Sequence, residues 1–345
     1  MQYNPCQLDG FVFLEFSGPD DNALIRQFSQ MGFKHTKTLP DKSVCLMQQG
    51  NIDFIVNTAT NSQAERHARQ HGAGACAMGF QVKDCEKALT HALNNGATEF
   101  IDSAHALPTI EGIGGSVIYF VDSQHQPFAN RWQSHTVDSG YTNARLTDID
   151  HLTHNVHRGN MDKWADFYER IFNFKEIRYF DIKGQMTGLV SRALGSPCGK
   201  IKIPLNESKD DKSQIEEFLT DYNGEGIQHI ALATKNIINS IEILKNQNVS
   251  FLDVPDTYYE MIADRIPWHK EPVDKLQKLK ILIDGEKEQK YGLLLQIFTE
   301  NVFGPVFFEI IQRRGNEGFG EGNFQALFEA IERDQIRRGT LEVSS

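Results

Sequence analysis

The chain has 345 residues, of which 40% are hydrophobic and 23% charged, and a formal net charge of −11. That length suits two domains or one fold unit used twice. The acidity argues against phosphate backbones or anionic lipid as partners, no basic run interleaved with aromatics points to nucleic acid, and no apolar stretch approaches the roughly 20 residues that span a bilayer.

The N-terminus, MQYNPCQLDGF, lacks the basic and apolar regions of a secretory signal. Cys6, Cys45, Cys76, Cys85 and Cys198 are scattered, odd in number and without a C-x-x-C pair. This predicts reduced thiols in a cytoplasmic protein, with neither a disulfide framework nor a thiolate zinc site.

In chain order, LDGFVFLEF (8–16) predicts a strand and residues 20–31 a helix, followed by GFKHTKT. GAGACAMGFQV (72–82) and GSVIYFVD (115–122) predict further strands. The segment TVDSGYTNARLTD (136–148) predicts a boundary. The second half opens on the strand IDHLTHNV and then a helix over 160–173, where Trp164, Phe167, Tyr168, Ile171 and Phe172 recur at helical spacing behind an Asn160 cap. Strands follow at FKEIRYFDI, near 187–194 and at 200–205. Ser213 and Glu216 stand at capping-box spacing before a helix. The strand GIQHIALAT (226–234), a helix over about 236–247, the strands GLLLQIF (292–298) and PVFFEIIQ (305–312), and an amphipathic helix over 323–338 complete the chain.

The halves resemble each other. LDGFVFLEF matches IDHLTHNV, GAGACAMGFQV matches GEGIQHIALAT, and GSVIYFVD matches PVFFEIIQ, which predicts a duplicated α+β module. Side by side, Gly10 stands at the place of His151, Ala77 at that of His229, and Tyr119 or Phe120 at that of Glu309. Only the second half therefore carries two histidines and a glutamate on apolar strands. A carboxylate inside PVFFEIIQ loses hydration worth several kcal/mol unless a cation meets it. Two imidazoles and one carboxylate around a divalent ion with open positions suit non-haem Fe(II), and the site's net charge near +1 favours an anionic chelating substrate.

Each residue also has an ordinary reading. A lone strand histidine is more often a satisfied core or surface group than a ligand, and twelve histidines offer accidental triples. His154 points to the face opposite His151, while His157 shares its face at about 20 Å. Read alone, the three residues leave a metal site and an unrelated buried set equally open. GFGEGNF (318–324) lacks the Lys-Ser/Thr of a phosphate loop and reads as a flexible entry to the last helix. ESKDDKS (207–213) and DGEKEQK (284–290) read as solvated turns.

DHLTHNV, FYERIFNFKEIRYFDIKG, GIQHIA, DTYYEM, LLLQIF, FFEIIQR and GFGEGNF, in this order across the second half, resemble the 4-hydroxyphenylpyruvate dioxygenase family. The first half resembles that family's degenerate N-terminal domain less specifically. The resemblance implies an α+β vicinal-oxygen-chelate fold of paired βαβββ modules whose open sheets curl around a site. Residues 1–140 would form a metal-free domain and 141–345 the catalytic one, with a C-terminal gating helix. It implies one Fe(II) per chain on His151, His229 and Glu309. It places Ser191, Asn206, Gln214, Gln228 and Gln296 in the substrate pocket, and Phe298, Phe307, Phe319, Asn323 and Phe324 in its aromatic wall and gate.

The residue chemistry agrees, because amides bond a phenol or ketone without adding charge and phenylalanines sandwich a ring and exclude water. Phe307 reads equally as core. The implied reaction takes 4-hydroxyphenylpyruvate and O2 to homogentisate and CO2 by oxidative decarboxylation, ring hydroxylation and side-chain migration, in tyrosine catabolism. The substrate's own 2-oxo acid removes any need for 2-oxoglutarate. A homo-oligomer, tetramer or dimer, is implied as well. The alternatives are 4-hydroxymandelate synthase, an extradiol dioxygenase, against which DTYYEM and GFGEGNF argue, and a metal-free binding protein of the same fold.

Overall fold

The structure, a computed structural model, describes residues 3–101, 106–135, 141–183, 188–286, 292–327 and 330. The first half supplies β1 (Phe11–Ser17), β2 (Lys34–Thr38), β3 (Val44–Gln49), β4 (Ile52–Asn57), β5 (Gly74–Gln81), β6 (Thr109–Glu111), β7 (Val117–Val121) and β8 (Gln133–Ser134). The second supplies β9 (Leu146–Val156), β10 (Lys175–Lys183), β11 (Gly188–Gly195), β12 (Lys202–Ser208), β13 (Gly226–Thr234), β14 (Leu282–Glu286), β15 (Gly292–Phe298) and β16 (Phe307–Arg314). Each set forms one curled, open eight-stranded sheet, in the orders β6-β7-β5-β1-β4-β3-β2-β8 and β10-β11-β12-β9-β13-β16-β15-β14.

Read in opposite directions, the two orders superimpose. β1 pairs parallel with β4 and antiparallel with β5, as β9 does with β12 and β13. The second half holds two complete βαβββ modules. In the first half, among the described residues, the second module lacks the strand corresponding to β14, and β8 is added at the far edge.

Register corrects one equivalence. Ala231 faces His151 and Glu309, and its counterpart Gly79 faces Phe13 and Tyr119. The residue at the place of His151 is therefore Phe13 rather than Gly10, and Tyr119 rather than Phe120 corresponds to Glu309. The rings of Phe13 and Tyr119 lie 5.8 Å apart in an apolar cluster with Ala77. A Cβ on Gly79 would come within 2.5 Å of the Phe13 ring, so the first half fills with hydrocarbon the space that the second half lines with His151 and Glu309.

The Met161–Phe172 helix buries Trp164, Tyr168, Ile171 and Phe172, as its periodicity requires. Asn160 occupies the N-cap position without capping, and its amide instead donates to Glu225 at 2.7 Å. Ser213 does cap its helix, accepting from the Glu216 backbone N–H. Of the helix predicted over 323–338, residues 323–327 and 330 are helical, and 328–329 and 331–338 lie outside the described residues. DGEKEQK is not a solvated turn at its start, because Asp284 is buried in β14 and accepts from the Gly322 N–H at 2.9 Å. All five cysteines are free. Among the described residues no helix is long and apolar enough to cross a membrane.

Phe303 and Phe308 of the second half pack against Phe28 of the first at 5.8 and 6.3 Å. Phe308 points away from the face that carries its neighbour Glu309. One face of the second sheet is thus spent on joining the halves, and the other is left to the site.

Candidate active site

Four neighbouring strands place one row of side chains, His151, Ala231, Glu309 and Phe298, on a common face. The next row adds Thr153, His229 and Phe307. Ala231 is the small member between His151 and Glu309, and the two long side chains converge above its methyl group. His151 Nε2 lies 3.3 Å and His229 Nε2 3.7 Å from the same Glu309 oxygen. Glu309 is 2% exposed, and its other carboxylate oxygen has no hydrogen-bond partner. Buried and half-satisfied, that carboxylate costs several kcal/mol unless a cation completes it. Two imidazole nitrogens and one carboxylate, all within 4.8 Å of one another, fit a divalent metal.

Both imidazoles are held from behind by the residue that precedes them. The pairing of β9 with β13 skips Asp150 on one strand and Gln228 on the other, so each is the extra residue of a β-bulge. Asp150 Oδ1 lies 2.8 Å from His151 Nδ1, and Gln228 Oε1 lies 3.2 Å from His229 Nδ1. An oxygen at each Nδ1 fixes the tautomer with its proton there and leaves Nε2 free to bind.

The electrostatics of the two rings differ. Burial opposes charge on His151, but Glu309 and Asp150 outweigh it and raise its pKa above the ordinary histidine value. Burial, with His151 and His154 adding to it, holds His229 well below that value. Asp150 is largely shielded, with its side chain 10% exposed, and burial pushes its pKa up, yet two Arg313 hydrogen bonds at 2.8 Å and the one from His151 keep it far below the usual carboxylate range.

The decoys stand apart. His154 faces the opposite side of β9 and bonds the Tyr168 hydroxyl at 2.8 Å, while His157 is exposed beyond the strand end. Phe307 stacks on the His229 ring at 4.9 Å, Phe298 meets it edge-on at 6.2 Å, and Phe319 meets His151 edge-on at 5.2 Å. Ser191 and Asn206 are cross-strand partners, and Asn206 faces Asn155 on the His151 face of β9. Gln296 is buried on the Glu309 face and accepts from Asn323 at 3.2 Å; Asn323 in turn accepts from the Tyr258 hydroxyl at 2.6 Å. Gly320 has φ +79°, and a Cβ there would lie 1.7 Å from the Gln296 oxygen, so the GFGEGNF segment owes a glycine to this close approach. Gln214, at the first turn of its helix, and Phe324, at 38%, are solvent-exposed rather than packed against the triad.

Sequence reasoning missed Asp150, Arg313, Tyr258 and Ala231. An aspartate beside a candidate ligand was a legible signal, but strand alternation sends it to the wrong face, and only the bulge returns it.

This fold and site define a vicinal-oxygen-chelate protein. Residues 148–264 match the glyoxalase/bleomycin resistance protein/dioxygenase superfamily, and residues 2–136 match the family described as hydroxyphenylpyruvate dioxygenase, N-terminal. The chain is 67% identical to 4-hydroxyphenylpyruvate dioxygenase of Legionella pneumophila (strain Corby) over 98% of both chains. It is 50% identical to the protein of that name from Pseudomonas aeruginosa, over 99% of this chain and 98% of the relative. A solved mutant of 4-hydroxymandelate synthase from Streptomyces coelicolor aligns at 25% identity and TM-score 0.81, covering 95% of this chain and 99% of that one. The chain belongs to the 4-hydroxyphenylpyruvate dioxygenase family.

Proposed function

We propose that the protein converts 4-hydroxyphenylpyruvate and O2 to homogentisate and CO2, in tyrosine catabolism in the cytoplasm, with one Fe(II) per chain on His151, His229 and Glu309. In this reading residues 1–140 form a metal-free domain and 141–345 the catalytic one, and the active form is a homo-oligomer. The observation that carries it is the buried Glu309 carboxylate, one oxygen of which lies beside two imidazoles whose Nδ1 atoms are already engaged while the other has no partner.

When bound, Fe(II) supplies the reducing electrons and open coordination positions for O2 chemistry on a 2-oxo acid. The chain's own residues do the rest. Asp150 and Gln228 orient the ligands. Phe298, Phe307 and Phe319 form an apolar wall around the two imidazoles and keep water out. Uncharged groups, Ser191, Asn206, Gln214, Gln228, Gln296 and Asn323, receive the phenol and ketone without competing for the metal's charge, and Phe324 closes against the ring.

The test is to load the protein with iron under anaerobic conditions, add O2 and 4-hydroxyphenylpyruvate, and identify the product by chromatography. Homogentisate supports the proposal. The structural likeness to 4-hydroxymandelate synthase keeps one alternative, and hydroxymandelate as the sole product would replace the proposal with it. Absence of both iron uptake and turnover would favour a binding protein.

A further inference from the structure

Arg313 takes no part in the proposed reaction. It stands on β16 on the same face as Glu309, four residues further along and about 13 Å away at strand rise. Its side chain is only 13% exposed. The guanidinium clasps Asp150 with two hydrogen bonds of 2.8 Å, one to each carboxylate oxygen. Asp150 Oδ1 is the same atom that engages His151 Nδ1. On its other side, Arg313 donates to the backbone carbonyls of Asn316 at 3.1 Å and Gly318 at 2.6 Å, and lies 5.6 Å from the Phe319 ring centre. That ring meets His151 edge-on, closing a circuit from Arg313 through Asp150 and His151 to Phe319 and back.

We infer that Arg313 is a positioning residue that couples the orientation of His151 to the placement of the glycine-rich segment 316–319, so that metal binding at the triad orders this segment. The inference rests on the metal-site reading. Simple neutralisation of Asp150 would need only a positive charge. What a lysine cannot supply is the planar fork that grips both carboxylate oxygens through Nε and Nη2 while the third nitrogen, Nη1, holds two carbonyls. Metal at His151 Nε2 fixes the ring, the ring fixes Asp150, and Asp150 fixes the guanidinium on which the segment hangs. Such coupling is reciprocal, so loosening the segment weakens metal binding in the same proportion.

The experiment measures Co(II) binding by titration and, separately, amide hydrogen exchange across residues 316–324 with and without Co(II), in the full chain and in Arg313→Lys and Asp150→Asn. In the unmodified protein, one Co(II) per chain should bind and slow exchange in this segment several-fold. Asp150→Asn should weaken Co(II) binding on the order of 10–100-fold, and in both variants saturating Co(II) should no longer slow exchange. Equal slowing in Arg313→Lys, or Co(II) binding without slowing in the unmodified protein, overturns the coupling and leaves the metal site standing. Failure of the unmodified protein to bind Co(II) overturns both.

Discussion

Asp150 and Gln228 are structural equivalents across the seam between β9 and β13. Each is the unpaired residue of a bulge, and each places an oxygen against the Nδ1 of the histidine that follows it. One partner is anionic and the other neutral, so the two imidazoles receive unequal support. The site is thus asymmetric before any metal arrives.

The first prediction concerns the triad. His151→Ala, His229→Ala and Glu309→Ala should each abolish turnover and cut bound iron from one per chain to near zero, while circular dichroism stays native. Full iron content in any one of them removes that residue from the site.

Ala231 gives a test that leaves all three ligands in place. It is fully buried between His151 and Glu309 in the register, under the point where their side chains converge. Ala231→Leu should exclude the metal by filling its space and should cost about 1–3 kcal/mol of stability through overpacking. Normal iron content in a folded Ala231→Leu protein would show that the ion lies elsewhere.

His154→Ala should retain iron, since that ring faces Tyr168, yet it strands the buried hydroxyl and should lose about 1–3 kcal/mol in urea denaturation. His157→Ala should retain both iron and stability, because its side chain is exposed.

Ring placement is separable from oxygen consumption. Gln228→Ala or Phe324→Ala should still consume O2 but yield less homogentisate per O2, with more 4-hydroxyphenylacetate or benzylic product. A displacement of about 1 Å costs on the order of 100-fold in a positioned step. Cells expressing these variants should also brown less in air. An unchanged product ratio in both variants would place the two residues outside ring positioning.

His67 is one source of a pH-dependent stability. Burial, with His71 adding to it, lowers its pKa from 6.5 to about 3 in the folded protein. Between those values the unfolded chain binds a proton that the native protein does not. Stability from this group is therefore complete above pH 6.5 and falls as pH drops from 6.5 toward 3, by up to about 1.4 kcal/mol per pH unit. His67→Gln should flatten the urea midpoint over pH 6.5 to 5 relative to the parent; equal slopes in the two proteins would refute this assignment.

The sequence alone exposed the duplicated module and singled out His151, His229 and Glu309 as candidate ligands, because both depend on local patterns. Period-two apolar runs define strands, and a histidine or glutamate inside such a run stands out against its counterpart in the other half. It also separated His154 from the site, since alternation along an unbroken strand is a local rule.

Tertiary structure decided everything that depends on register. That Phe13 rather than Gly10 replaces His151, that Ala231 leaves room beneath His151 and Glu309, and that Asp150 turns back toward His151 all follow from which residues pair across strands. A bulge shifts that pairing by one residue without any mark in the sequence. Arg313 joins residues 150 and 318 only because β16 and β9 flank β13, a neighbourhood that strand order creates and chain order conceals.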